Sequence, residues 1–244
     1  MKKTIALCSV LVAALLGGCS DKPEEVVAPA PAAATVVEQT NPTEISDGLF
    51  VEGHHYFLVN PQGTSDGPVV TEFFSLYCGG CYNMEARFLP MIVPVLDSQG
   101  IQFEQKHVNF AGDQTGEDVV RGFAILQNIG DEAQQKALKE TLFEELGGKD
   151  HDHSAHGHDH EEGIQSLADL RPFFVAAGID GAAFDAAAQS NAVNADVSAW
   201  AEEQQMYQVA SVPSFIVNNR YQINMREIAT LEELTDLMSY LSSK

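Results

Sequence analysis

Cysteine is scarce in this chain, four residues in 244, and basic charge is sparse beside acidic, with 13 Lys and Arg against 35 Asp and Glu. Two of the cysteines, Cys8 and Cys19, lie at the very start, which leaves one close pair, Cys78 and Cys81, for the body of the protein. A structural zinc site needs about four ligands and usually a second such pair, so Cys78 and Cys81 read as a redox dithiol before they read as half of a zinc site. The formal net charge of −22 argues against nucleic acid as a partner and against electrostatic adhesion to anionic lipid, both of which call for clustered Lys and Arg. The apolar stretch at the N-terminus, Thr4 to Leu16, falls short of a comfortable bilayer span.

That stretch follows a short positive region, Met1-Lys2-Lys3, and ends in Leu16-Gly17-Gly18-Cys19, which resembles the lipobox of bacterial lipoproteins, where the cysteine is lipidated and becomes the new N-terminus. Residues 1–18 are therefore expected to be a lipoprotein signal peptide, removed together with Cys8, and Cys19 to be the lipidated residue. An ordinary cleaved signal with a chance cysteine is the plainer alternative. Export would place the remainder in an oxidising compartment where disulfide chemistry is permitted. Residues 19–46 read as a Pro- and Ala-rich tether carrying Pro23, Pro29, Pro31 and Pro42, which as a coil spans on the order of 30 Å. The expected location is the periplasm, with the lipid as the membrane link.

The richest stretch is Glu72 to Arg87, EFFSLYCGGCYNMEAR. An apolar, aromatic-rich run that reads as a buried strand leads into Cys-x-x-Cys, and a helix pattern follows. Cys78 falls at the start of that helix, where unpaired N–H groups and the positive end of the dipole favour its thiolate, so it is the candidate nucleophile. Cys81, one turn in and covered by the fold, is the candidate resolving thiol. Glu72 shares a strand face with Val70 and Phe74, so alternation alone makes its burial expected.

His54–Asn60 and Val69–Tyr77 read as strands separated by a Pro- and Gly-containing turn. The helix after Cys81 carries Met84, Phe88, Met91, Ile92 and Leu96 at helical spacing, with Pro90 and Pro94 expected to kink or end it. Ile101–Phe110 alternates as a third strand, which predicts a right-handed βαβ unit with parallel pairing. From Gly112 the pattern is helical. One segment is marked by Val119, Phe123, Ile125 and Leu126, another by Leu138, Leu142 and Leu146, a third by Phe173, Phe174 and Ala177, with Pro172 expected in its first turn or as a kink. The last runs from Asn194 to Tyr207 with Val197 and Trp200. Strands return at Ser214–Val217 and Tyr221–Asn224 around an Asn218-Asn219 turn, and Thr230-Leu231-Glu232-Glu233 is a capping box for a final helix through Leu241. The fold class is α/β: residues 47–112 and 208–244 form one domain, and 113–207 an all-helical insertion containing a His-rich loop at 147–163.

Ser211-Val212-Pro213-Ser214-Phe215 places a proline at the entrance of a strand, which is unusual unless its bond is cis or the strand is an edge there. With this second spot in hand, residues 50–242 resemble the DsbA family of thiol:disulfide oxidoreductases. The matching pieces are Glu72-Phe73-Phe74-Ser75, Cys78-Gly79-Gly80-Cys81, Lys106-His107-Val108-Asn109-Phe110, Val212-Pro213, Val217-Asn218 and Tyr221-Gln222-Ile223-Asn224. The resemblance implies a thioredoxin-like mixed sheet with the inserted helical domain. It implies that Cys78 and Cys81 cycle between disulfide and dithiol, and that Pro213 is a cis-proline facing them, with the backbone of Val212 turned out to pair with client chains. It implies that Glu72 is the family's buried acid, able to relay the proton of Cys81. Implied partners are reduced or unfolded secreted proteins and a DsbB-like, quinone-linked membrane protein that takes the electrons; no cofactor is required. The departure is the dipeptide between the cysteines, Gly79-Gly80 where the family typically carries Pro-His. Losing those contacts is expected to raise the Cys78 pKa and soften the oxidant, which keeps a reductase or isomerase open as the alternative direction.

His151, His153, His156, His158 and His160 are interleaved with Asp and Glu in the insertion. Imidazoles and carboxylates in such a tract can bind Zn²⁺, Cu²⁺ or Ni²⁺, but no fixed spacing selects a metal, and a polar loop extension explains the composition equally well. A metal-handling lipoprotein using this loop with Cys78 and Cys81 is the rival from another class. His54, His55 and His107 read as strand residues.

Overall fold

The computed structural model describes residues 49–147 and 163–244. The expected signal peptide, Cys19, the tether and His151, His153, His156, His158 and His160 lie outside the described residues. In chain order the elements are β1 (Tyr56–Leu58), β2 (Val69–Phe74), α1 (Gly79–Asn83), a π-helical turn (Met84–Phe88), α2 (Leu89–Ser98) and β3 (Gln102–His107). The helices α3 (Gln114–Ile129), α4 (Glu132–Gly147), α5 (Leu167–Ala176), α6 (Gly181–Ala187) and α7 (Asn191–Met206) follow, then β4 (Ser214–Val217), β5 (Tyr221–Ile223) and α8 (Leu231–Ser242).

The strands form one mixed sheet in the order β1-β5-β4-β2-β3, with β2 and β3 parallel and every other pairing antiparallel. β2 is central, and all six of its residues are buried, because both of its faces are covered. Val70, with Phe215 and Val217 beside it, packs on Ile92 and Leu96 of α2 and Leu234, Leu237 and Leu241 of α8. Phe73 and Ile216 point the other way, onto Val108, Tyr207 and Val209. Phe74, at the strand's end, meets the core of the helical layer, with its ring 4.8 Å edge-on from that of Phe123. Side chains of this kind are each worth about 1.5–3 kcal/mol when fully buried.

The helix after Cys81 departs from simple periodicity. The N–H of Leu89 bonds the carbonyl of Met84, a five-residue step. Pro90 has no N–H to bond Ala86, which favours this wider turn. The extra residue moves Leu89 into the buried row in place of Phe88, and Phe88 and Met91 end up 38% and 51% exposed. Pro94 lies inside α2, which runs on to Ser98 rather than ending there, and Pro172 likewise sits past the first turn of α5. The final helix starts as the sequence predicts, with the Thr230 side chain accepting from the Glu233 N–H. The Glu233 carboxylate closes the box on Ala229, one residue earlier than expected. Asn218 and Asn219 both take positive φ, 52° and 57°, which is the I′ geometry of a tight hairpin. β3 is an outer strand, and its Gln105 carbonyl is capped by the side-chain amide of Gln127 from α3.

Candidate active site

β2 ends at Phe74 rather than reaching Tyr77, because the next backbone groups turn to other partners. The N–H of Leu76 donates to Nε2 of His107 at 2.9 Å, that of Tyr77 to Oγ of Ser75 at 3.2 Å, and that of Cys78 to the carbonyl of Ser75 at 3.0 Å. This tied loop sets Cys78 in extended conformation as the N-cap of α1, where its Sγ accepts from the N–H of Cys81 at 3.3 Å. Both thiols are free, Cys78 half-buried and Cys81 1% exposed. The hydrogen bond from the Cys81 thiol and the N–H groups of Cys81 and Gly80 outweigh partial burial and push Cys78 down to about 6. Cys81 moves the opposite way, because its S–H donates a hydrogen bond to Cys78 and it is buried. The asymmetry is the one a nucleophile and a resolving thiol need. None of these groups is a side chain at position 79 or 80, so the two glycines do not leave Cys78 at its ordinary value.

The Val212-Pro213 bond is cis, and Cys78 Sγ lies 3.5 Å from the carbonyl oxygen of Val212. Gly80 fits between them: a Cβ built on it would stand 3.6 Å from both Cys78 Sγ and Pro213 Cδ, an ordinary contact.

Glu72 is 1% exposed, and burial raises its carboxyl to about 8, with the Gln105 amide opposing. Nε2 of Gln105 donates to Glu72 Oε2 and to Glu85 Oε2, both at 2.8 Å. Lys139 Nζ donates to Gln105 Oε1 and to Glu85 Oε1, both at 2.7 Å. Glu72 also feels the charge of Cys78, and Cys81 feels that of Glu72, so thiols and carboxyl share one field. His107 is fully buried and pushed down to about 3, so its ring is neutral and free to accept from Leu76.

The two thiols, Glu72 and the Val212-Pro213 pair, chosen from sequence, are thus neighbours. Gln105, Glu85, Lys139 and His107 were not singled out as site residues, although His107 lay in a matching stretch. They come from β3, the π-helical turn and α4, and no local pattern joins them. Among the described residues no group of three or more His, Cys, Asp or Glu is placed to hold a metal.

The family model described as DSBA-like thioredoxin domain matches residues 69–236. The chain belongs to this family. Its relatives include the thiol:disulfide interchange protein DsbA of Haemophilus influenzae, 31% identical over 174 residues, covering 71% of this chain and 76% of that one. DsbA of Escherichia coli is 29% identical over 211 residues, covering 82% and 91%. Among solved structures, DsbA of Proteus mirabilis superposes with a TM-score of 0.62 at 25% identity, over 80% of this chain and 98% of that one. The thioredoxin-like sheet with a helical insertion follows from the family as well as from the strand order. This DsbA-like chain is a thiol:disulfide oxidoreductase of the disulfide-forming class, and neither the metal-handling reading nor the reductase or isomerase reading is favoured by its relatives.

Proposed function

We propose that this chain forms disulfides in reduced or unfolded secreted proteins, with Cys78 as the attacked sulfur and Cys81 as its partner. The observation that carries the reading is the opposed state of two adjacent thiols, Cys78 pushed down to about 6 and the buried Cys81 pushed up. In the oxidised enzyme a client thiolate attacks Cys78 Sγ. The Cys78–Cys81 bond breaks, its electron pair goes to Cys81, and a mixed disulfide joins client to Cys78. A second client thiolate attacks the client sulfur, the client disulfide forms, and Cys78 leaves as a thiolate that the fold already stabilises. Two electrons have moved from client to enzyme. Glu72, protonated at neutral pH, gives the proton that Cys81 takes up as it leaves, and its carboxylate takes that proton back on reoxidation.

The backbone of Val212, with its carbonyl 3.5 Å from Cys78 Sγ, is suited to pair with an extended client segment, a mode of binding that tolerates many sequences. A cysteine-to-serine form of Proteus mirabilis DsbA has been solved with the non-covalently bound peptide PWATCDS, a precedent for such a ligand. The electrons would pass on to a DsbB-like quinone-linked membrane protein. Residues 1–18 would serve as the signal, Cys19 as the lipid anchor in the periplasm and residues 19–46 as the tether. The sheet domain would comprise 47–112 and 208–244, and the helical insertion 113–207.

The deciding measurement is the equilibrium of the Cys78/Cys81 pair against glutathione, together with oxidation of a dithiol peptide. A potential near that of thioredoxin, about −270 mV, would remove the oxidase assignment.

A further inference from the structure

We propose that Lys139, on α4 of the helical layer, is a positioning residue for the buried carboxyl of Glu72, acting through the carboxamide of Gln105. This rests on the role given to Glu72 above. A glutamine side chain has one acceptor end and one end with two donors, and nothing in its shape says which way it faces. Here the cation decides. Lys139 Nζ can only donate, and it meets Gln105 Oε1 at 2.7 Å, so the NH₂ end must turn inward. One of its hydrogens then reaches Glu72 Oε2 and the other Glu85 Oε2, both at 2.8 Å. Three of the amide's four hydrogen-bonding positions, both donors among them, are taken, and Lys139 is held a second time by Glu85 Oε1 at 2.7 Å.

The consequence falls on Glu72. With the NH₂ end facing it, the carboxyl is offered a donor, which suits the carboxylate. With the amide turned over it would face an acceptor, which suits only the protonated acid. Lys139 therefore keeps the ionised state within reach for a group that burial otherwise holds protonated. The charged groups around Glu72 come from three elements: Cys78 of the α1 cap and Glu85 of the π-helical turn oppose ionisation, and Lys139 of α4 favours it. The Lys139–Glu85 end reaches the surface. Both side chains line a cleft of about 940 Å³ between the β3 edge and the helical layer, with 13% and 20% of their surfaces open, while Glu72 stays sealed. A change of charge at the cleft is thus transmitted to the floor of the dithiol site.

The test is the titration of Glu72, read by carbon-13 NMR of side-chain carboxyls in the reduced full chain. Lys139→Met should move the Glu72 midpoint upward by roughly half a pH unit or more, and Lys139→Arg should return most of it. Gln105→Leu should produce an upward shift of roughly one unit, after which adding Lys139→Met should move the midpoint by clearly less than it does in the parent, only the direct field of the cation being left to lose. Glu85→Gln, which keeps the cation and the amide, should move the midpoint down and serves if a Lys139 variant does not fold. An unmoved midpoint in Lys139→Met overturns the proposal. So does a Lys139→Met shift that is fully additive with Gln105→Leu, since the cation would then act directly through its field. If the midpoint moves as expected but the pH profile of dithiol oxidation does not follow it, the positioning role stands and the proton-relay role of Glu72 falls.

Discussion

Leu76 and His107 are joined by a hydrogen bond of 2.9 Å from the main-chain N–H of one to Nε2 of the other, 31 residues apart in sequence. It anchors the loop that carries Cys78 to the end of β3, and it works only while that nitrogen is unprotonated. The ring is buried and pushed down to about 3, so the folded state resists a proton that the unfolded chain accepts near 6.5. Stability from this residue is complete above about 6.5 and is lost as pH falls through about 3. His107→Phe should remove that acid dependence and leave the Leu76 N–H unpaired at a cost of about 1–3 kcal/mol. Denaturant unfolding across a pH series checks both effects.

Glu72 has the opposite sign. Its carboxyl is raised to about 8, so stability is complete below the ordinary carboxyl value of 4.5 and declines as pH rises to about 8. The full span is on the order of 5 kcal/mol. Glu72→Gln should flatten this part of the curve, raise stability at pH 8, and slow dithiol oxidation at least about 10-fold through loss of proton transfer. Equal rates in the variant and the parent would exclude the relay.

Iodoacetamide should label Cys78 with a midpoint near pH 6 and leave Cys81 untouched in the folded enzyme. Because the Cys81 thiol is the largest stabiliser of the Cys78 thiolate, Cys81→Ala should raise that midpoint by roughly one unit or more. The same variant should accumulate a mixed disulfide with a peptide thiol, visible by mass spectrometry.

A Cβ at position 80 would meet Cys78 Sγ and Pro213 Cδ at an ordinary contact distance of 3.6 Å. Gly80→His, which restores the family's residue there, should lower the Cys78 midpoint and make the disulfide more oxidising, by roughly 30 mV for each pKa unit. Glutathione equilibration of the two proteins gives the difference directly.

What could be read beforehand followed the range of the interaction. Cys78, Cys81 and Glu72 lie in one continuous stretch, and although alternation pointed to burial of the carboxyl, β2 is buried on both faces, so Glu72 would be covered on either one. The capping box and the Asn-Asn hairpin are equally local. The Gln105–Glu85–Lys139 group draws on three separate elements, so its members look like ordinary surface polar residues until the chain is folded. Phe88 and Met91 fell to a different cause, since the five-residue step before Leu89 shifts the register that a 3.6-residue period assumes. α6 escaped notice because it is short and Ala-rich, with only Phe184 and Ala187 buried.

The amide of Gln127, seated on the Gln105 carbonyl, bears on self-protection. An outer strand with open backbone groups is a template on which sticky, half-made polypeptides can stack. An enzyme of this kind meets such chains as its daily traffic. With the Gln105 carbonyl, in the middle of that rim, occupied by one of the protein's own side chains, this acceptor is closed to a strand that would pair along the flank.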